Sequence, residues 1–269
     1  MTKAVVTFNN GPFCLYSPLK LGKALRNSTV SVMIKPSSKK VGATMPRYQN
    51  QHLFQLREIG LGLTFVGGFI DAYTFVQRGG VLAAGQTGNL VFLSVDIAQR
   101  NLPGALTKVC TVAFFIIGVA LVGLLNHHLG AHSHFWRLPI MIAEFIVCLI
   151  VGYLPKTTNN IFIVPLLALV MSMQTTAFSQ IAGHGYANVF TTGNLKKATI
   201  ALTDFLITRN RQSLTTALVY WELVLCFAGG AIVSALLQIW WTTHTIWLAN
   251  GLLILIGGYY ALGLAKRED

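Results

Sequence analysis

Apolar residues in this chain run in long blocks rather than alternating with polar ones. Windows near the roughly 20 apolar residues needed to cross a bilayer core fall at 59–77, 106–126, 138–154, 161–182, 214–240 and 246–264. Each predicts a membrane-spanning helix. Two weaker windows, 81–98 and 186–207, each hold a polar knot, VLAAGQTGNL at 81–90 and NVFTTGNL at 188–195. The second also carries Lys196 and Lys197 near its middle, and a Lys at a helix centre costs about 2.5–3.5 kcal/mol on insertion scales. Both are therefore expected to be short re-entrant or half-helical segments, with eight full spans as the rival count. The expected fold class is an all-α membrane protein, a polytopic bundle of about six transmembrane helices plus two short helices bearing Thr-Gly-Asn.

The knots lie 105 residues apart, counted from Thr87 to Thr192. Aligned on them, 59–77 falls on 164–182 and 138–154 on 243–259, with an insertion near 207–213. The pattern predicts an internal duplication: a basic tail over 1–50, repeat 1 over 51–158, repeat 2 over 159–265 and a short tail at 266–269. Three spans per half would invert the second half relative to the first, and four would leave the halves parallel. Both arrangements recur in secondary transporters.

Within each knot, Thr or Asn ahead of a helical run reads as an N-cap, and Gly lets the backbone turn or approach another group closely. The helix that follows presents unpaired N–H groups and a positive dipole end. Two such ends brought together at membrane depth would make a polar pocket suited to an anionic or amide-rich ligand, and irregular backbone there must be buried in protein or line water. The alternative is that the knots are joints that keep broken helices buried. Asp71, in GGFIDAYTF, lies well inside the first span, where an acidic group is costly enough to be a functional candidate by default. Its structural alternative is a buried carboxyl bonded to a neighbouring helix or paired with Arg78. The repeat-mate of Asp71 is Thr176, with Gln174 beside it. The expected substrate-binding set is Asp71, Gln86, Thr87, Gly88, Asn89, Gln174, His184, Thr192, Gly193 and Asn194. Glu144 and Glu222 read as interhelical hydrogen-bonding groups, and Asp96 and Asp204 as partners of Arg100 and Arg209. Small residues at 118–123 and 229–235 read as helix-packing surfaces.

Composition agrees with the pattern. The chain is 54% hydrophobic and 10% charged, with a mean hydropathy of +0.60, which places it in the membrane class. The net charge of +12 is a property of the N-terminal region: residues 1–57 hold nine Lys/Arg and no acid, against eleven basic and eight acidic residues in the remainder. No aromatic platform accompanies that charge, so nucleic acid is not an expected partner; a positive flank near anionic lipid is. Lys and Arg in the loops place both termini on the cytoplasmic side under either span count. The tail reads as disordered, and Met45 opens a natural-looking start, so residues 1–44 are expected to be an over-extension. The cysteines show no disulfide or metal spacing. HHLGAHSH at 127–134 has no Asp, Glu or Cys nearby and reads as loop histidines, so neither a metal nor a cofactor is expected.

At GGFIDAYTFVQRGGVLAAGQTGNLVFL (67–93) the sequence resembles the YoaK-type family of bacterial membrane proteins, a family of unknown function. Gly68, Asp71, Ala72, Gly79, Gly80, Val81, Thr87, Gly88 and Asn89 match its pattern, and QTTAF (174–178) with TTGNL (191–195) resembles its second repeat. The likeness covers roughly 52–265, and Gly85-Gln86 stands where the family commonly has Asn-Met. The resemblance implies a multi-pass protein of the bacterial inner membrane. The functional expectation is a small-solute transporter or permease with a midplane polar site between the repeats, alone or as a homo-oligomer. The rivals are a non-transporting scaffold or accessory subunit, and an intramembrane enzyme using Asp71 and His184. With no nucleophile elbow, HExxH or Walker loop present, the enzyme reading is disfavoured.

Overall fold

The computed structural model describes residues 53–129 and 135–268. The tail, His132 and His134 lie outside the described residues. Eight α-helices follow one another among the described residues: α1 (Arg57–Gln77), α2 (Gln86–Ala98), α3 (Leu102–Leu129), α4 (Leu138–Tyr153), α5 (Val164–Ala177), α6 (Thr191–Thr208), α7 (Arg211–Trp241) and α8 (Trp247–Glu268). Each apolar window of the sequence lies on one of them, and the two knots open the short helix α2 and the helix α6. Five stretches are long and apolar enough to cross a membrane: Arg57–Gln77, Leu102–His128, Phe135–Tyr153, Asn160–Ala177 and Arg211–Lys266. The last contains both α7 and α8, which a 3-10 segment separates at Thr242, where φ is 46° and ψ is −118°. The chain is an all-α membrane protein but for one feature. The window 161–182 overshoots its helix, because Gln180–Ile181 and His184–Gly185 pair as a two-residue antiparallel hairpin. Its turn residues, Ala182 and Gly183, have φ of 47° and 79°, the double positive φ of the turn that matches strand twist. At the other terminus, 266–268 continues α8 rather than forming a tail.

Side-chain bonds gather the helix termini into two ends. At the first, the Ala182 N–H donates to the Gln55 carbonyl at 2.8 Å and Gln55 donates to Gln180 at 2.6 Å. Arg137, just before α4, donates to the Ala177 carbonyl at the close of α5 at 2.9 Å and stacks 3.8 Å from the Phe54 ring centroid. Leu53 packs against Gly263 late in α8, and Arg57 donates to Glu222 early in α7 at 2.6 Å. At the second end, fully buried Arg78 donates to the carbonyls of Val151, Leu154 and Pro155 at 3.1, 2.9 and 3.0 Å. It thereby ties the end of α1 to the close of α4, where helix-terminal carbonyls are open to outside donors. Gly79 and Gly80, at φ 80° and 70°, turn the chain immediately after it. Trp247 and His244, around the start of α8, contact the carbonyls of Leu149 and Gly152 at 3.2 and 2.9 Å.

These contacts fix direction. Helices α1, α4 and α7 run from the first end to the second, and α5 and α8 run back. Leu129 closes α3 six positions before Phe135, a reach of at most about 22 Å against a helix of about 42 Å, so the close of α3 lies towards the first end and α3 also runs back. Helix α2 thus leaves from and returns to the second end, and α6 does the same at the first.

Helix α1 packs chiefly on α7, and α5 on α3. Both pairings depend on glycine: a Cβ on Gly68 would overlap the Phe227 carbonyl, one on Gly230 the Phe65 carbonyl, and one on Gly118 the Ser172 hydroxyl and Leu169 carbonyl. These are backbone approaches that only a hydrogen at Cα permits. Gly123, from the same small-residue stretch, faces open space. Leu63, Phe69, Ile70, Ile140, Leu167 and Met171 form the buried centre. In α1 67% of the spanning window is buried, against 17% in α3. Helix α1 is therefore central, while α3 turns an apolar face outward.

Candidate functional site

The turn before α2 is held from α1. The Asp71 carboxylate accepts from the Ala84 N–H at 2.7 Å, and Thr74 Oγ1, one turn on, accepts from the Ala83 N–H at 3.2 Å. The carboxylate does not pair with Arg78, whose guanidinium is committed to the close of α4 and to the Tyr73 hydroxyl at 3.1 Å. Gly85 is the residue before the helix, and a Cβ there would lie 3.4 Å from Asp71 Oδ2 and closer still to the Leu82 side chain. Asn89 reaches back across the turn, accepting from the Leu82 N–H at 2.9 Å and donating to the Leu82 carbonyl at 2.7 Å and to Gln86 Oε1 at 3.0 Å.

The turn before α6 has the same outline with other chemistry. Asn194 donates to the Ala187 carbonyl at 2.8 Å, the same seven-residue reach that Asn89 makes to Leu82. Gln174 of α5 accepts from Asn188 at 2.9 Å and donates to Glu144 of α4 at 3.2 Å. Glu144 and Gln174 are fully buried, and Glu144 Oε2 and Asn188 Oδ1 have no partner. The expected N-caps differ in both turns. The residues that precede α2 and α6 are Gly85 and Phe190, neither supplying a side-chain cap. The threonines of the two Thr-Gly-Asn triplets lie within the first turns, and the Gln86 N–H that opens α2 donates to the Ala84 carbonyl at 2.8 Å.

Both first turns face one cavity of about 770 Å³. It is walled by α1 and α7, and Asp71, Gln86, Thr87, Gly88 and Thr192 of the expected set line it, together with Thr191. Gln174, Asn89 and Asn194 do not; each is buried and bonded within the protein. Gly193 is exposed and is not on the cavity wall. His184 lines a separate cavity of about 550 Å³ with Lys197, Asp204 and Tyr220, so Asp71 and His184 do not share a cavity.

The other acids are structural. Glu222 pairs with Arg57, and Glu144 makes the interhelical bond expected of it. Asp96 pairs with Lys108 at 2.5 Å rather than with Arg100, and Asp204 accepts from Ser213 rather than pairing with Arg209. Arg100, at φ 58°, closes α2, and Asn101 after it donates to the Asp96 carbonyl at 2.9 Å and to the Asp96 carboxylate at 3.0 Å. The Lys108 ammonium holds the Asp96 carboxyl below the usual carboxylate range. Among the described residues no group of three or more His, Cys, Asp or Glu could hold a metal ion.

Sequence reasoning missed Asn188 and the anchoring role of Arg78. Asn188 stood in the quoted knot as a polar residue between apolar neighbours, which was its signal. Arg78 offered none, because the carbonyls it holds lie more than 70 residues away.

No curated protein and no solved structure matches the chain. A family model described as a protein of unknown function, DUF1275, matches residues 59–259, the span on which the YoaK-type resemblance rests. With the match covering most of its length and both polar turns, the chain belongs to the DUF1275 family.

Proposed function

We propose that this protein is a small-solute transporter or permease of the bacterial inner membrane, with both termini cytoplasmic and six crossings arranged as two inverted repeats. The observation that carries the reading is the cavity at which the first turns of α2 and α6 meet against Asp71. Re-entrant helix starts facing each other near mid-membrane from opposite ends are the arrangement by which transporter repeats present N-terminal dipoles to a solute. Inversion is supported by the helix directions: α1 and its counterpart α5 run oppositely, as do α4 and α8, and α2 and α6 return to opposite ends. The crossed packing of α1 on α7 and α5 on α3 is what a pseudo-two-fold axis between two copies produces. Six crossings also return the chain to the side on which it began, in line with the excess of Lys and Arg in its N-terminal part.

In this reading Asp71 contacts the solute or its coupling ion, Gln86, Thr87 and Thr192 orient it, and Asn89 and Asn194 shape the turns. Purified protein in proteoliposomes on a solid-supported membrane should give a current or proton flux with some member of a panel of amines, amino acids and organic acids. Asp71→Asn should abolish it, and Thr87→Ala with Thr192→Ala should weaken it. A response indifferent to all three substitutions would reject the site. Silence across the panel, together with co-purification of a stoichiometric partner, would favour a scaffold whose polar turns only seal broken helices.

A further inference from the structure

The cavity wall carries information about what enters it. Away from the polar turns it is built by Phe75 and Val76 of α1 and Phe227, Ile232 and Ala235 of α7. Phe75, Val76 and Ile232 are 46%, 51% and 59% exposed, and all three lie within helices long and apolar enough to cross the membrane. Exposed faces of such helices meet acyl chains, so this side of the cavity opens into the bilayer. At about 770 Å³ it lies within the ~300–1,000 Å³ range of small-molecule sites. Its polar side chains are those of Asp71, Gln86 and the two threonine-bearing turns.

The charge at that end selects among amphipaths. Among the described residues Asp71 is the only ionisable side chain on the wall, and no Lys, Arg or His of that set lines it. An ammonium finds a carboxyl there to serve as its counter-ion, whereas a carboxylate meets another acid and only the partial charges of two helix ends, about half a unit each. The α2 end already faces Asp71 through Ala84. A charge brought into an apolar site needs a full partner. We infer that, within the transporter reading on which this rests, the site takes amphipathic amines that enter sideways from the bilayer, the ammonium at Asp71 and the apolar body between α1 and α7.

The test is binding to the full-length protein in phosphatidylcholine nanodiscs at pH 7, using four probes: decylamine, decanol, decanoate and propylamine. Decylamine, cationic at that pH, should bind most tightly. Its advantage over decanol and decanoate should fall at least tenfold in Asp71→Asn, which keeps an acceptor for the Ala84 N–H and so keeps the fold. Ile232→Trp, at the mouth, should weaken decylamine binding and gain fluorescence quenching by brominated lipids. Decanoate binding best would overturn the inference, because the helix ends would then set the selectivity. Propylamine matching decylamine, both dependent on Asp71, would overturn the amphipath while leaving the solute site intact. No Asp71-dependent binding by any probe would overturn this inference, and the transport currents decide the wider reading separately. A disulfide-linked dimer formed through Ala235→Cys would show a second copy covering the mouth, and that too would overturn it.

Discussion

The two polar turns do the same mechanical work with different side chains, and the difference separates holding a turn from facing a ligand. The first is tied to α1 by Asp71, a carboxylate that also reaches the cavity wall. The second is tied to α5 by Gln174, a neutral amide sealed between Glu144 and Asn188 and away from the cavity. The Asn of each triplet reaches back seven residues in both turns, but Asn89 makes three bonds and Asn194 one. The seven-residue reach is thus common to the two turns, and the acid belongs to one of them. A neutral amide suffices to anchor a broken helix, so an acid at Asp71 asks for a further reason.

The comparison can be broken most sharply at the asparagines. With a net contribution of about 1 kcal/mol per hydrogen bond, Asn89→Ala should cost about 3 kcal/mol and Asn194→Ala about 1 kcal/mol, read as unfolding free energies in the same detergent. Equal losses would mean that the two turns are energetically equivalent. Between them should fall Gln174→Ala, at about 2 kcal/mol, since it strips one partner each from buried Glu144 and Asn188. It should leave any ligand response at the cavity in place. Asp71→Asn should do the opposite, changing stability by less than about 1 kcal/mol while abolishing the ligand response. That pair of results would separate the anchor from the site, and a reversal would merge them.

The smallest effect concerns acid. Because Lys108 lowers the Asp96 carboxyl, the stability it contributes is fully present above the ordinary carboxylate range and is lost as pH falls through its depressed value, below about pH 4. Melting curves from pH 6 to pH 3 should therefore show a smaller acid loss for Asp96→Asn than for the parent protein. Identical slopes would mean that the pair is not formed in solution.

What the sequence made legible was whatever repeats at helical or membrane scale. The apolar blocks located the helices to within a few residues, and the duplicated Thr-Gly-Asn located the starts of α2 and α6. It also put Asp71 and the two threonines into one expected site, and all three line the same cavity. The partners escaped. Asp71 and Arg78 are seven residues apart on one helix, two turns and about 10 Å along its axis, which invited pairing. The structure instead sends Arg78 to α4 and Asp71 to the turn before α2. Asn89 and Asn194 were expected ligand contacts because they belong to the duplicated Thr-Gly-Asn knots, and an amide in lipid is expensive to leave unpaired. That expense is met locally by backbone seven residues upstream, in a loop shape that no periodicity encodes.

The Arg78 clasp bears on how the protein is made. Its acceptors at Val151 and Pro155 lie 73 and 77 positions downstream, and at roughly 5–20 residues per second a ribosome needs on the order of 4–15 seconds to supply them. Helix α1 waits longer still for α7, its principal neighbour. A nascent chain halted after its first half would carry α1 into the membrane without the surface it is shaped to meet. Biogenesis is then expected to be all-or-none, with the insertion machinery or a holding factor shielding α1 until the last third of the chain has been synthesised.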